Sequence, residues 1–128
     1  MRNYTDDRLR KLSISKDQGI SWGDIYSDSN LIEPICQASM INIKRPMKKD
    51  IIAFSNPNSK TNRDKMTIKF SFDNTKSWTK SKLLHDGPSA YSNLIQISNS
   101  EIGCLFEGGQ KSAYEGIAFK KINIKNLR

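Results

Sequence analysis

Ser15-Lys16-Asp17-Gln18-Gly19-Ile20-Ser21-Trp22 and Ser71-Phe72-Asp73-Asn74-Thr75-Lys76-Ser77-Trp78 share the spacing Ser-x-Asp-x-x-x-x-Trp and begin 56 residues apart. An echo at such an interval is the signature of a repeat architecture, in which each block buries its apolar face against its neighbours. Each copy also makes sense as a hairpin turn. Asp17 can accept hydrogen bonds from nearby backbone N–H groups, Gly19 can take a positive φ, and the Trp22 ring can fold over the turn. The second copy has Thr75 where the first has Gly19, so its turn is expected to close differently or under strain. Both copies are expected to build the fold and do no chemistry.

Outward from the echoes, short β-rich runs alternate with turns, and no stretch has helical periodicity. Residues 9–15 lead into the first echo and a short strand is expected around 23–26. Residues 36–43, 50–55 and 66–72 follow, with Met66, Ile68 and Phe70 alternating against Thr67 and Lys69. Beyond the second echo come 80–84, 90–97, 102–107 and 116–124, for about nine strands altogether. Ser55-Asn56-Pro57-Asn58-Ser59, Asp86-Gly87-Pro88-Ser89 and Glu107-Gly108-Gly109-Gln110 read as the connections between them. Repeat units of about 50 to 60 residues holding four antiparallel strands predict an all-β propeller blade rather than a sandwich.

With 36% hydrophobic and 27% charged residues in 128, the chain can bury one modest core, and it contains no apolar run long enough to span a membrane. The polar start, Met1-Arg2-Asn3-Tyr4-Thr5-Asp6-Asp7, has no h-region, so no signal peptide is expected within the sequence. A net charge of +8 invites a nucleic-acid reading, yet the basic clusters at 8–11, 44–49 and 120–125 are short and interleaved with apolar strand positions. No aromatic ladder accompanies them, so nucleic acid is not an expected partner. Cys36 and Cys104 lie 68 residues apart without CxxC spacing, which leaves a zinc site unsupported and the choice between buried thiols and a disulfide open.

Ser-x-Asp-x-Gly-x-x-Trp, as it stands at 15–22, resembles the Asp box, or BNR repeat, of sialidases and several other propeller families. More specific are Ser55-Asn56-Pro57 followed by Arg63 and Met66-Thr67-Ile68, then Gly87-Pro88-Ser89-Ala90-Tyr91-Ser92-Asn93-Leu94, then Ile102-Gly103-Cys104-Leu105-Phe106-Glu107. Together with Arg2-Asn3-Tyr4 and Pro34-Ile35-Cys36-Gln37-Ala38-Ser39, they resemble, over nearly all of residues 1–128, the C-terminal part of a bacterial-type exo-α-sialidase (neuraminidase) catalytic domain.

That resemblance implies a partial six-bladed propeller: half of one blade, one whole blade and three strands of another, with Asp boxes at 15–22 and 71–78. In the family, three arginines grip the carboxylate of sialic acid, a tyrosine attacks the anomeric carbon, a glutamate assists it, and an aspartate serves as acid/base. By motif, Arg63 corresponds to the third arginine and Arg2 to the second, Tyr91 to the nucleophile, and Glu107 to a carboxylate that orients the first arginine. The first arginine, the aspartate and the assisting glutamate have no counterpart in this sequence. The resemblance therefore implies sialylated glycans or sialic acid as partners, no cofactor and no metal, with the N-terminal half of the propeller as a further partner. The isolated chain is expected to be inactive and poorly stable, with unclosed sheet edges. A non-catalytic module that holds anionic sugars through Arg2 and Arg63, and one part of a split enzyme, are the alternatives.

The chemistry suits these residue types. Sialic acid carries a carboxylate on its anomeric carbon, so an Asp or Glu nucleophile would meet like-charge repulsion where a neutral phenol does not. A guanidinium offers that carboxylate a planar fork, which Lys cannot. Strand order is consistent with it: Arg63, Tyr91 and Glu107 are expected on one face, both Asp boxes on the other, and Arg2 at the repeat position that Arg63 occupies one blade later. His85 is expected to be a loop residue.

Overall fold

A computed structural model of the chain describes residues 1–125 and 127. Strands β1 (Leu9–Leu12) and β2 (Tyr26–Ile32) form a two-stranded antiparallel sheet. A curled six-stranded antiparallel sheet follows in sequential order: β3 (Ser39–Ile43), β4 (Ile51–Pro57), β5 (Asp64–Ser71), β6 (Lys80–Ser98), β7 (Glu101–Gly108) and β8 (Ile117–Asn123). No helix occurs among the described residues.

The 19-residue β6 explains the difference from the expected strand count. Its first half pairs with β5, from Lys80 opposite Phe70 to Pro88 opposite Asp64, and its second half pairs with β7, from Ser89 opposite Gly108 to Ser98 opposite Glu101. One strand thus closes a four-stranded unit, β3 to β6, and opens the next, β6 to β8. The expected connection at Asp86-Gly87-Pro88-Ser89 is therefore strand, because its backbone groups find partners without turning. Ser89 N–H donates to the Arg63 carbonyl at 2.8 Å, and Gly109 N–H donates to the Pro88 carbonyl at 3.1 Å. Gly87 is needed at this crossing, since a Cβ there would stand 3.0 Å from the Gly109 carbonyl oxygen. His85 accordingly lies in a strand, not a loop.

The strand expected around 23–26 lies instead at Tyr26–Ile32. Its sequence, Tyr-Ser-Asp-Ser-Asn-Leu-Ile, has weak β propensity, and its pairing with β1 supplies what the residues themselves do not. The alternation read in β5 holds on one face only: Met66, Ile68 and Phe70 are fully buried and meet Ile51, Ala53, Leu84, Leu94, Ile102, Cys104 and Ile122 in one core. On the other face Thr67 is buried as well and Lys69 half-buried, because this strand is covered on both sides. Burying each such large side chain is worth roughly 1.5–3 kcal/mol. Both cysteines are buried free thiols, and burial pushes the Cys104 thiol up to about 11.

The two Asp boxes connect β1 to β2 and β5 to β6 with nearly the same hydrogen bonds. In the first, Gly19 N–H donates to Ser15 Oγ at 2.7 Å, and Asp17 accepts from Ser21 N–H at 2.9 Å and Ser21 Oγ at 2.5 Å. In the second, Thr75 N–H donates to Ser71 Oγ at 2.8 Å, and Asp73 accepts from Ser77 N–H at 2.9 Å and Ser77 Oγ at 2.6 Å. Thr75 thus follows the path of Gly19 with φ at 68°, a left-handed conformation that is strained for a β-branched residue. Of the two outcomes expected for this turn, strain is the one found.

Candidate active site

Arg63 immediately precedes β5, while the second Asp box leaves its other end, so the two lie at opposite ends of one strand. Tyr91 sits between Ser89 and Ser92, where the β6–β7 register shifts. An irregularity of this kind re-aims a side chain out of the ladder, and the Tyr91 ring is 43% exposed between neighbours that are buried.

Two guanidinium groups converge on that ring. Arg2 Nη2 donates to the Tyr91 hydroxyl at 3.1 Å, and Arg2 Nη1 donates to the Tyr4 hydroxyl at 3.2 Å. The Arg2 Cζ stands 5.7 Å from the Tyr91 ring centre, and the Arg63 Cζ stands 5.9 Å from it. Hydrogen bonding to the Tyr4 and then the Tyr91 hydroxyl raises the pKa of Arg2 still further, so it remains a fixed cation. Glu107, near the end of β7, accepts the Tyr91 backbone N–H at 3.0 Å through Oε2. All four residues singled out in the sequence are therefore brought together, with Glu107 holding the tyrosine's backbone and not its hydroxyl.

Several supports were not legible. Arg63 Nη2 donates to the Ile35 carbonyl at 3.0 Å, which a left-handed Ile35 (φ 56°) turns towards it. Arg63 Nη1 donates to the Tyr114 hydroxyl at 2.7 Å. Beneath Arg2, the adjacent Asn3 N–H donates to Glu33 Oε1 at 2.5 Å, and Glu33 Oε2 pairs with Arg10 Nη2 at 2.8 Å. Both members of that pair are buried; the Arg10 guanidinium also lies 5.5 Å from the Phe54 ring centre and donates to the Cys36 carbonyl at 3.1 Å. Burial raises the pKa of Glu33 and lowers that of Arg10, and their mutual attraction opposes both shifts. Tyr114 stands outside every motif read in the sequence and Glu33 only borders the one at 34–39, and their partners lie 51 and 23 residues away.

A cleft of about 1110 Å³ opens beside Arg2 and Tyr91 and runs between the two sheets to Trp22, past Leu31, Phe54 and Met40. Arg63 and Glu107 lie outside its lining. No cluster of three or more His, Cys, Asp or Glu suited to a metal ion is present among the described residues, and they contain no helix long and apolar enough to cross a membrane.

The BNR repeat-like domain family matches residues 1–104. A curated sialidase of Bacteroides fragilis is 33% identical over 136 residues, covering 99% of this chain and 24% of that protein. The sialidase of Micromonospora viridifaciens is 31% identical over 128 residues, covering 96% of this chain and 19% of that protein. Among solved structures, the Hadza microbial sialidase Hz136 superposes with a TM-score of 0.75 at 34% identity, over 88% of this chain and 22% of that one. The chain thus spans about a fifth to a quarter of the length of the relatives it matches. With two Asp boxes and blade-like antiparallel sheets that superpose on a sialidase, it belongs to the BNR repeat-like family as part of a bacterial-type sialidase β-propeller.

Proposed function

We propose that residues 1–128 form one part of an exo-α-sialidase propeller and contribute the nucleophile and two carboxylate-gripping arginines of a site that releases terminal sialic acid. The observation that carries this reading is the convergence of Arg2 and Arg63 on the Tyr91 ring, at 5.7 and 5.9 Å. A carboxylate held between two guanidinium groups would bring the anomeric carbon that bears it over the phenol. Attack by Tyr91 Oη on that carbon would form a glycosyl–tyrosine bond as a base takes the phenolic proton and the aglycone oxygen leaves with a proton from an acid; water would then give its hydroxyl to the anomeric carbon and a proton back to the tyrosine oxygen. Glu107, by holding the Tyr91 backbone, would fix where the ring points.

The same geometry supports the reading that this part does not complete the reaction alone. A phenol ordinarily has a pKa near about 10 and attacks well at neutral pH only with a base beside it. Among the described residues, the Tyr91 hydroxyl meets Arg2 and no carboxylate. The purified chain is therefore expected to bind sialic acid without releasing a fluorogenic aglycone from a sialoside. Release that disappears in Tyr91→Phe would overturn the expected inactivity and establish a complete enzyme. Binding abolished in Arg63→Ala, without turnover even after the rest of the propeller is supplied on a second polypeptide, would favour a sugar-binding module.

A further inference from the structure

Tyr114 lies in the loop between β7 and β8, and its hydroxyl accepts a hydrogen bond from Arg63 Nη1 at 2.7 Å. The ring is 66% exposed, so it contributes little to the core. The loop that carries it is nevertheless held firmly. Glu115 accepts backbone N–H groups from Gln110 at 2.9 Å, Lys111 at 2.8 Å and Ser112 at 2.7 Å. A Cβ at Gly109 would run into the Ser112 carbonyl, so the loop closes only with glycine at its start. Next to Tyr114, Ala113 is buried in a small cluster with Cys36 and Ala90, the neighbours in sequence of Ile35 and Tyr91. The mount of Tyr114 is thus packed directly beneath the residues that hold and face Arg63.

We infer that Tyr114 is a positioning residue, which fixes the Arg63 guanidinium in the orientation that receives the carboxylate; the inference rests on the sialic-acid site proposed above. A guanidinium has five N–H donors and accepts nothing, so the Tyr114 oxygen must be the acceptor and its own proton points elsewhere. One bond at each terminal nitrogen, to Tyr114 through Nη1 and to the Ile35 carbonyl through Nη2, prevents the planar group from rotating about its own axis. Three N–H groups remain for an anion above the Tyr91 ring. Without Tyr114, Arg63 keeps the Ile35 bond alone and must be ordered by the ligand, which weakens binding.

The test uses the 128-residue chain and Tyr114→Phe, which removes only the hydroxyl. In the free wild-type protein, nitrogen-15 NMR should show the Arg63 Nη protons as separate, slowly rotating signals, and in Tyr114→Phe they should merge. Affinity for free sialic acid should fall about three- to tenfold, while the urea unfolding midpoint stays unchanged. Arg63 signals that remain separate in the variant would overturn the inference, as would affinity equal to wild type with a freely rotating Arg63. If the wild type binds no sialic acid yet its Arg63 signals depend on Tyr114, the proposed site fails and the positioning role stands.

Discussion

The two Asp boxes share their spacing and their hydrogen bonds, yet their tryptophans meet different surroundings. The Trp78 ring packs 5.8 Å from Phe54, centre to centre, and donates from Nε1 to Asp28 at 2.8 Å, tying the second box to β2 of the smaller sheet. Trp22 is 65% exposed and lines the cleft. The turn is thus encoded within eight residues, whereas the use made of its tryptophan depends on the neighbouring unit. Trp78 has one in β2, and Phe54 of its own unit packs beside it; no strand among the described residues covers Trp22. This is the behaviour of a repeat protein, in which each unit is finished by the one beside it.

Truncating the two tryptophans tests that difference with the largest effect. Trp78→Ala should destabilise by about 2–3 kcal/mol, less than a fully buried tryptophan because its site is half-open, and Trp22→Ala should change stability by less than about 0.5 kcal/mol. Equal losses in urea unfolding would break the comparison. Exchanging the glycine and threonine of the two turns comes next. Gly19→Thr should cost about 1–2 kcal/mol, because it introduces the left-handed strain that Thr75 already carries, and Thr75→Gly should gain about 0.5–1 kcal/mol. A loss in Thr75→Gly would mean that the threonine side chain contributes something its backbone strain conceals.

The smallest effect is in acid. Hydrogen bonds from Ser77, and then from Ser71, hold the Asp73 carboxyl at about 2, below its ordinary 3.8. A carboxyl depressed in the folded state contributes stability that is fully present above the ordinary value and is lost as pH falls through the folded one. The stability difference between wild type and Asp73→Asn should therefore be constant near neutrality and shrink between about pH 4 and pH 2. Asp17, held at about 2 chiefly by Ser21, should show the same window in Asp17→Asn. A different window for the two would show that the boxes are not electrostatically alike.

Much of this molecule could be read from its sequence because the informative signals are local. The boxes, the alternation in β5 and the motif around Tyr91 each lie within about ten residues, and their backbone consequences follow from turn chemistry and side-chain period. What escaped the reading depends on partners far along the chain. β6 passes through a Gly-Pro pair without turning because Arg63 and Gly109 satisfy its backbone from either side. β2 forms from poor strand residues because β1 pairs with it. Glu33, Ile35 and Tyr114 support the arginines through contacts with Arg10, Asn3 and Arg63, and no spacing rule links those positions. The primary residues of the candidate site were visible as a motif, and the groups that hold them were not.

In the proposed site, Arg2 and Arg63 are arranged around Tyr91 to grip a carboxylate. Comparing the binding of sialic acid with that of its methyl ester, each followed by NMR titration of the intact chain, tests it most directly. Sialic acid should shift the Arg2, Arg63 and Tyr91 side-chain signals together, and esterification should weaken binding by at least about tenfold, as expected when charge-assisted hydrogen bonds are lost. Equal binding of acid and ester, or shifts confined to residues remote from Tyr91, would contradict it.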